Sequence, residues 1–266
     1  MVLNSIDNPL ISIITVNFNS GDQLLRTVDS IDSQDFQNFE HIIQDAWSTD
    51  ESISRIQDNT SRGRREIFRE EDLGVYDGMN KAMTKSKGEI VIFLNAGDVF
   101  ANSNVLTLIS DVYSRDPFIW AVGETATART VSNNKNQQNY RLPNFRAVQL
   151  GFNIFPHPST IYSRSLLKQL DGFAIKFGLA ADQHYALRAY TIMPPRVLLF
   201  RISIFDESGL SSRQGKLKRE MEFHAIRKDS NALIGGSVSL DVLVSTLLAT
   251  LRIGKNVLYG RRRPHQ

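Results

Sequence analysis

Gly88-Glu89-Ile90-Val91-Ile92-Phe93-Leu94-Asn95-Ala96-Gly97-Asp98 is the stretch that decides the fold. Ile90 to Leu94 is uniformly apolar and rich in β-branched residues, and Gly88 on one side and Asn95, Gly97 and Asp98 on the other mark its ends as a strand entering a polar loop. A strand without polar alternation is buried on both faces, and helical patterns before and after it predict a parallel sheet covered on both sides. Upstream, Leu10 to Val16 reads as a first strand closed by Asn17, Asn19, Ser20 and Gly21. Leu24, Leu25, Val28 and Ile31 then share one face of a helix, with Ser20 or Asp22 as its expected cap. Phe39 to Gln44 gives a second strand, Glu51 to Gln57 a helix, and Glu66 to Phe68 a short strand. Val75, Met79, Ala82 and Met83 mark a helix stopped near Gly88. Downstream, Val105, Leu106, Ile109 and Val112 predict a helix and Phe118 to Val122 a strand.

From Gly123 to Asn144 the composition turns to Thr, Asn, Gln and Arg, most polar over Asn133 to Asn139, which predicts a loop or an excursion of short strands. Phe155 to Thr160 is a rigid turn, Ser163 to Leu170 and Ala181 to Tyr190 are helical, Arg196 to Phe205 is a late strand, and Ser211 to Arg227 is a charged helix. The expected division is a domain over 1–210, with halves over 10–122 and 123–210, and a helical extension over 211–266. In that extension Leu240, Leu243, Val244, Leu247, Leu248 and Leu251 form one helical stripe, and Arg252, Lys255, Arg261, Arg262 and Arg263 follow it. An amphipathic helix with a basic end suits an anionic membrane surface, while a helix packed on its own domain or on a second subunit of a homo-oligomer gives the same stripe.

With 266 residues, 41% of them hydrophobic and 22% charged, the chain buries a sizeable core and is neither fibrous nor wholly disordered. It has no cysteine, which excludes a disulfide framework, thiol catalysis and Cys-ligated zinc. Met1 to Pro9 carries neither a basic nor an apolar leader segment, and no stretch has the roughly 18 apolar residues of a membrane span, so a cytoplasmic location is expected. A net charge of +3 gives no reason to expect a nucleic-acid partner.

Ligands of open α/β sheets bind beyond the carboxyl ends of the strands. Asn17, Phe18 and Asn19 follow the first strand, Asp45 and Trp47 the second, and Asn95 and Asp98 the strand at Ile90 to Leu94. If the sheet is parallel, these groups converge on one edge. Neither a G-x-G-x-x-G fingerprint after the first strand nor a P-loop is present, which argues against a dinucleotide dehydrogenase and a P-loop ATPase.

Four blocks in order, Ser12 to Asn19, Ile42 to Asp50, Gly74 to Lys81 and Gly88 to Asp98, resemble the family 2 glycosyltransferases, and the likeness continues through His157 to Thr160 and Ala181 to Arg188. Enzymes that build bacterial exopolysaccharide, capsule or O-antigen are the most similar in look. The resemblance implies an α/β fold of the GT-A, Rossmann-like kind: a mixed, mainly parallel sheet with helices on both faces, here with a C-terminal helical extension. It implies an inverting transfer of a sugar from a nucleotide-diphosphate donor, most commonly a UDP-sugar, to a hydroxyl of a glycan acceptor. That acceptor is expected to be lipid-linked, with the enzyme peripheral at the inner face of the cell membrane.

Carried over residue by residue, the resemblance puts Val16, Phe18 and Asp45 at the nucleoside, where an aromatic ring packs on the base and a carboxylate accepts from it. Asp77 and Asn80 match positions lining the donor site, although Asp77 is equally suited to anchoring its loop. Asn95 is expected at the ribose or at a water on the metal. The family's D-x-D metal motif is reduced here to Asp98, and one carboxylate with substrate phosphates and waters is sufficient for Mg²⁺ or Mn²⁺. Asp182 matches the general base, with Ala181 where the family has a second acid. His157 is placed at the acceptor or the leaving diphosphate, a buried structural histidine being the alternative. Two rival readings are a nucleotidyltransferase, which would need a basic phosphate loop where Asn17 to Gly21 has none, and a sugar-binding or scaffolding protein that has lost catalysis.

Overall fold

The computed structural model describes residues 8–57, 65–127, 129, 131, 144–207 and 216–260, the side chains of 216–221 and 251–260 excepted. Four parallel strands form one half of its sheet: β1 (Ile11–Asn17), β2 (Phe39–Asp45), β3 (Arg65–Arg69) and β4 (Ile90–Phe93). The remaining strands are β5 (Val99–Phe100), β6 (Trp120–Thr127), β7 (Thr160–Ser163) and β8 (Arg196–Phe205), and the order across the sheet is β3-β2-β1-β4-β7-β6-β8-β5. β7 is antiparallel to both β4 and β6, and β8 is parallel to β6. Two reversals restore direction, so the carboxyl ends of β6 and β8 lie on the same edge as those of β1 and β4.

Burial alternates along the central strands as a two-residue period requires. Ile14, Ile42, Val91 and Phe93 face one core, filled by Met79 and Ala82 of α3 (Val75–Lys85) and by Tyr185 and Ala189 of α7 (Ala181–Ile192). Ile11, Ile13, Ile90 and Ile92 face the other, filled by Ile31 of α1 (Asp22–Asp32) and by Val105, Leu106 and Ile109 of α4 (Val105–Arg115). Leu24, Val28 and Ile43 meet Ile53 and Ile56 of α2 (Ser52–Gln57) in a smaller cluster. A Cβ on Gly88 would sit 2.5 Å from the Ser12 backbone N, so only glycine lets the chain enter β4 beside β1.

Several boundaries differ from the sequence reading. Neither Ser20 nor Asp22 caps α1: Gly21 precedes it at φ +49°, and its N–H donates to Asp50 Oδ2 at 2.8 Å. Thr160 to Ser163 is strand rather than the turn and helix start expected, and α6 (Arg164–Gln169) begins after it with Ser163 as N-cap. β7 was hidden by its four-residue length and β5 by its two. The strand expected to end at Val122 continues to Thr127, and the most polar part of the excursion, Asn133 to Asn139, lies outside the described residues.

Beyond β8 come α8 (Lys216–Asp229) and α9 (Val238–Gly260). Fully buried Arg227 fastens both to the main sheet domain: Nε and Nη2 donate to the two oxygens of Asp241 at 2.7 and 2.9 Å, and Nη1 donates to the carbonyl of Gln149 at 3.0 Å. Gln149 ends α5 (Phe145–Gln149), and its side chain donates to the Ala232 carbonyl at 2.6 Å.

Candidate active site

The carboxyl ends of β1, β4 and β8, the start of α3, the turn at His157 and the start of α7 surround a cavity of about 900 Å³. Its lining includes Val16, Asn17, Phe18, Tyr76, Asn95, Asp98, His157, Asp182 and Asp206. Six of the nine site residues expected from sequence are therefore gathered at one place: Val16, Phe18, Asn95, Asp98, His157 and Asp182.

The other three are not among the lining residues. Asp45 is fully buried, and its Oδ1 accepts from Asn17 Nδ2 (2.7 Å) and Ser48 Oγ (2.5 Å), while Oδ2 accepts from Ser48 N and Arg69 Nε, both at 3.0 Å. Every lone pair directed into the loop is used, so Asp45 supports the floor from below. Asp77 accepts from Leu73 N and pairs with Lys81 Nζ, each at 3.0 Å, which is the loop-anchoring alternative. Asn80 holds Phe173 in both directions, Nδ2 to its carbonyl and Oδ1 from its N–H, each at 2.8 Å.

One side of the cavity is built for a polar ligand. Asn17 Oδ1 and Asn95 Oδ1 are both shielded from solvent with no hydrogen-bond partner, two acceptors aligned by adjacent parallel strands. Leaving such atoms unpaired costs about 1–3 kcal/mol each, so this side of the cavity carries unsatisfied acceptor capacity. Phe18 stands 64% exposed at the rim, free to cover a flat ring.

Beside them Asp98 is buried, and its Oδ1 accepts the Asp206 backbone N–H at 3.0 Å. Burial pushes the Asp98 carboxyl up to about 7, with the Asp206 charge adding to the rise. Asp206 follows β8 directly and is contacted by Gln23 Nε2 at 3.1 Å and Arg26 Nη2 at 3.3 Å. The donor set is all oxygen: two carboxylates and the unpaired amide oxygen of Asn95, which suits a hard divalent cation such as Mg²⁺ or Mn²⁺. Among the described residues no group of three His, Cys, Asp or Glu side chains is placed to hold a metal, so phosphates and water would complete the shell.

Other lining residues are titratable. Asp182 opens α7, where its Oδ1 accepts the Gln183 N–H at 2.7 Å and its Oδ2 the Gln183 side-chain amide at 3.2 Å. The Tyr76 hydroxyl interacts electrostatically with the same carboxylate. Burial raises the Asp182 pKa, and the hydrogen bonds from Gln183 together with the Tyr76 hydroxyl hold part of that rise back. His157 stacks on Phe93 with ring centroids 5.5 Å apart, and Tyr76 meets its edge at 6.2 Å. Both imidazole nitrogens are out of solvent and without a partner, and burial lowers the pKa, so the ring is neutral and has one donor and one acceptor to offer.

Sequence reasoning missed Asn17 as an acceptor, Tyr76 and Asp206. Asp206 was open to the rule applied to the earlier strands, a polar residue at a carboxyl end, had it been extended to β8. Tyr76 sits inside a block singled out for Asp77 and Asn80, and no local pattern shows that its hydroxyl meets a residue 106 positions later.

The family model described as Glycosyl transferase family 2 matches residues 12–171. The uncharacterized glycosyltransferase Rv1514c of Mycobacterium tuberculosis is 28% identical over 226 residues, which cover 81% of this chain and 84% of that protein. A PGL/p-HBAD biosynthesis glycosyltransferase of Mycobacterium bovis is 26% identical over 193 residues, covering 69% and 70%. Among solved structures, S. aureus TarS 1-349 in complex with UDP-GlcNAc matches with a TM-score of 0.68 at 20% identity, over 87% of this chain and 69% of that one. The mannosyltransferase PcManGT from Pyrobaculum calidifontis, in complex with GDP-Man and Mn²⁺, matches with a TM-score of 0.59 at 16% identity, over 97% and 82%. At these identities the two structures speak to the fold, which is GT-A.

Proposed function

Because the chain belongs to glycosyl transferase family 2, we propose that its cavity moves a sugar from a nucleotide-diphosphate donor to an acceptor hydroxyl with inversion. The observation that carries this reading is that one cavity joins a polar, carboxylate-bearing half, made by Asn17, Asn95, Asp98 and Asp206, to a buried acid beside a neutral histidine, Asp182 with His157. A donor needs the first half for its nucleoside and diphosphate, and an acceptor needs the second.

In this reading Phe18 covers the base, and Asn17 and Asn95 accept from N–H or O–H groups of the nucleoside. Asp45 keeps Asn17 and Ser48 in place rather than touching the base. Asp98, with Asp206 and Asn95, would hold Mg²⁺ or Mn²⁺, which when bound neutralises charge on the diphosphate. Asp182 takes the proton of the acceptor hydroxyl as that oxygen bonds to the anomeric carbon, while the bond from that carbon to the diphosphate oxygen breaks. Displacement in one step inverts the anomeric configuration. His157 donates to the departing phosphate or to a second acceptor hydroxyl. A UDP-sugar is the first donor to test, with GDP-sugars next. The solved structures named above carry one of each. The acceptor is a glycan carried on lipid at the inner face of the membrane, a reading supported by the basic C-terminus.

Release of nucleotide from a panel of nucleotide sugars, with and without Mn²⁺, tests the proposal. Slow metal-dependent release from one donor class supports it. Binding without release, in the presence of a range of lipid-linked glycans, would sink it.

A further inference from the structure

α9 packs with the wrong side in for a helix surrounded by water. Among its described side chains Asp241, Ser245 and Ala249, spaced four apart, are buried, whereas Leu240, Leu243 and Leu247 are 41%, 65% and 57% exposed and Val238 and Val242 stand out beside them. Surface helices ordinarily bury the apolar stripe and expose the polar one. Here the arrangement is fixed by Arg227: its two bonds to Asp241, a third to Ser245 Oγ at 2.6 Å, and the His224 Nδ1 contact to Asp241 Oδ2 at 2.6 Å all depend on the polar face pointing inward. Rolling the helix to bury its leucines would carry Asp241 outward and leave Arg227 as an unpaired charge in the interior.

Charge selects what covers the outward stripe. Asp241 is the last acidic residue of the chain, and Arg252, Lys255, Arg261, Arg262 and Arg263 come after it. A second copy packed parallel along the same stripe would bring two such basic segments together and one packed antiparallel would offer them no counter-charge, since no acidic residue follows Asp241, whereas an anionic lipid surface neutralises them. No described helix is long and apolar enough to cross a membrane, so the fitting geometry is a helix lying in the interface. We propose that α9 docks the enzyme on an anionic bilayer, with Leu240, Leu243 and Leu247 inserted among the acyl chains. This deepens the reading above by naming the surface and the lipid chemistry that bring the cavity to a lipid-linked acceptor, and its test is independent of sugar transfer.

The experiment is flotation of the full-length protein with vesicles of phosphatidylcholine alone and of phosphatidylcholine with an equal share of phosphatidylglycerol. The wild type is expected to float with the anionic vesicles and not with the neutral ones, and less at high salt. Leu243→Glu with Leu247→Glu should reduce binding by about tenfold or more, since each carboxylate would enter the acyl region. Both side chains are exposed, so the melting temperature and nucleotide release of this variant should equal the wild type's. Unchanged flotation of the variant, or no preference for anionic vesicles, overturns the proposal. So does a wild-type dimer in light scattering that the double variant converts to monomer while neither floats, which would assign the stripe to a second copy.

Discussion

Asp206 donates its backbone N–H to Asp98 Oδ1 over 3.0 Å, so the residue before β5 and the residue after its antiparallel neighbour β8 meet at one rim of the cavity. The pair has a consequence for pH. In the protein without metal the Asp98 carboxyl titrates near 7 rather than at its ordinary 3.8, because it is buried and faces the Asp206 charge. A cation must displace that proton. Metal affinity measured by calorimetry with nucleotide present should therefore rise by about tenfold between pH 6 and pH 8, the change in ionised fraction for a group of that pKa. Asp98→Asn should flatten the dependence. A metal affinity that is level across this range would remove Asp98 from the metal site.

Tyr76 and Asp182 form the second pair. The phenol lies against the carboxylate and, by favouring its charged form, keeps its pKa lower than burial alone would. Tyr76→Phe keeps the ring that packs on Phe173 at 5.3 Å, so the fold should survive. The acid limb of the kcat/KM profile should move to higher pH and kcat should fall by about tenfold, a typical loss for one hydrogen bond to a charged group. Nucleotide affinity should not move. A profile identical to the wild type's would leave Tyr76 a core residue only.

The docking of α8 and α9 rests on a pair with almost no exposure, Arg227 and Asp241. Arg227→Met fills similar space but abandons Asp241 inside the protein, where an unpaired buried charge costs about 3–5 kcal/mol. Urea unfolding should show a loss of that order or a separate early transition of the C-terminal helices, and hydrogen exchange should rise along α9 first. The double variant Arg227→Met with Asp241→Leu should recover most of the loss. If Arg227→Met alone unfolds as the wild type does, the ion pair does not fasten the extension.

Much of this architecture was legible in the chain because it is written in local pattern. Ile90 to Leu94 and Arg196 to Phe205 advertise themselves as strands, and polar residues at strand ends pointed to Asn95, Asp98 and the loop after β1. What stayed hidden depends on contacts distant in sequence. Thr160 to Ser163 is too short to show a period, and it becomes a strand because β4 and β6 offer it partners on both sides. Asp45 and Asp77 have the residue type of ligand-binding groups, yet their oxygens are taken by neighbouring N–H and O–H donors, which a sequence does not display. The stripe expected on α9 shares one helix from Leu240 to Leu248, the Leu251 side chain lying outside the described residues, but which side faces inward is decided by Arg227.

The account stands most directly on Asp182. Its pKa is raised by burial, so the native state holds its proton more tightly than the unfolded chain does. Its charge therefore costs stability above the unfolded pKa, the cost growing as pH rises through the raised folded value, and below the unfolded pKa it costs nothing. Asp182→Asn should melt higher than the wild type at neutral pH and equally at acidic pH, while binding nucleotide as tightly. The decisive measurement is the transfer rate of Asp182→Asn with a competent donor and acceptor, beside its nucleotide affinity. A fall of about 10² to 10⁴ in kcat at unchanged affinity is the predicted result for loss of a general base. Transfer at the wild-type rate would contradict it and return the proton acceptor to be sought elsewhere in the cavity, His157 first.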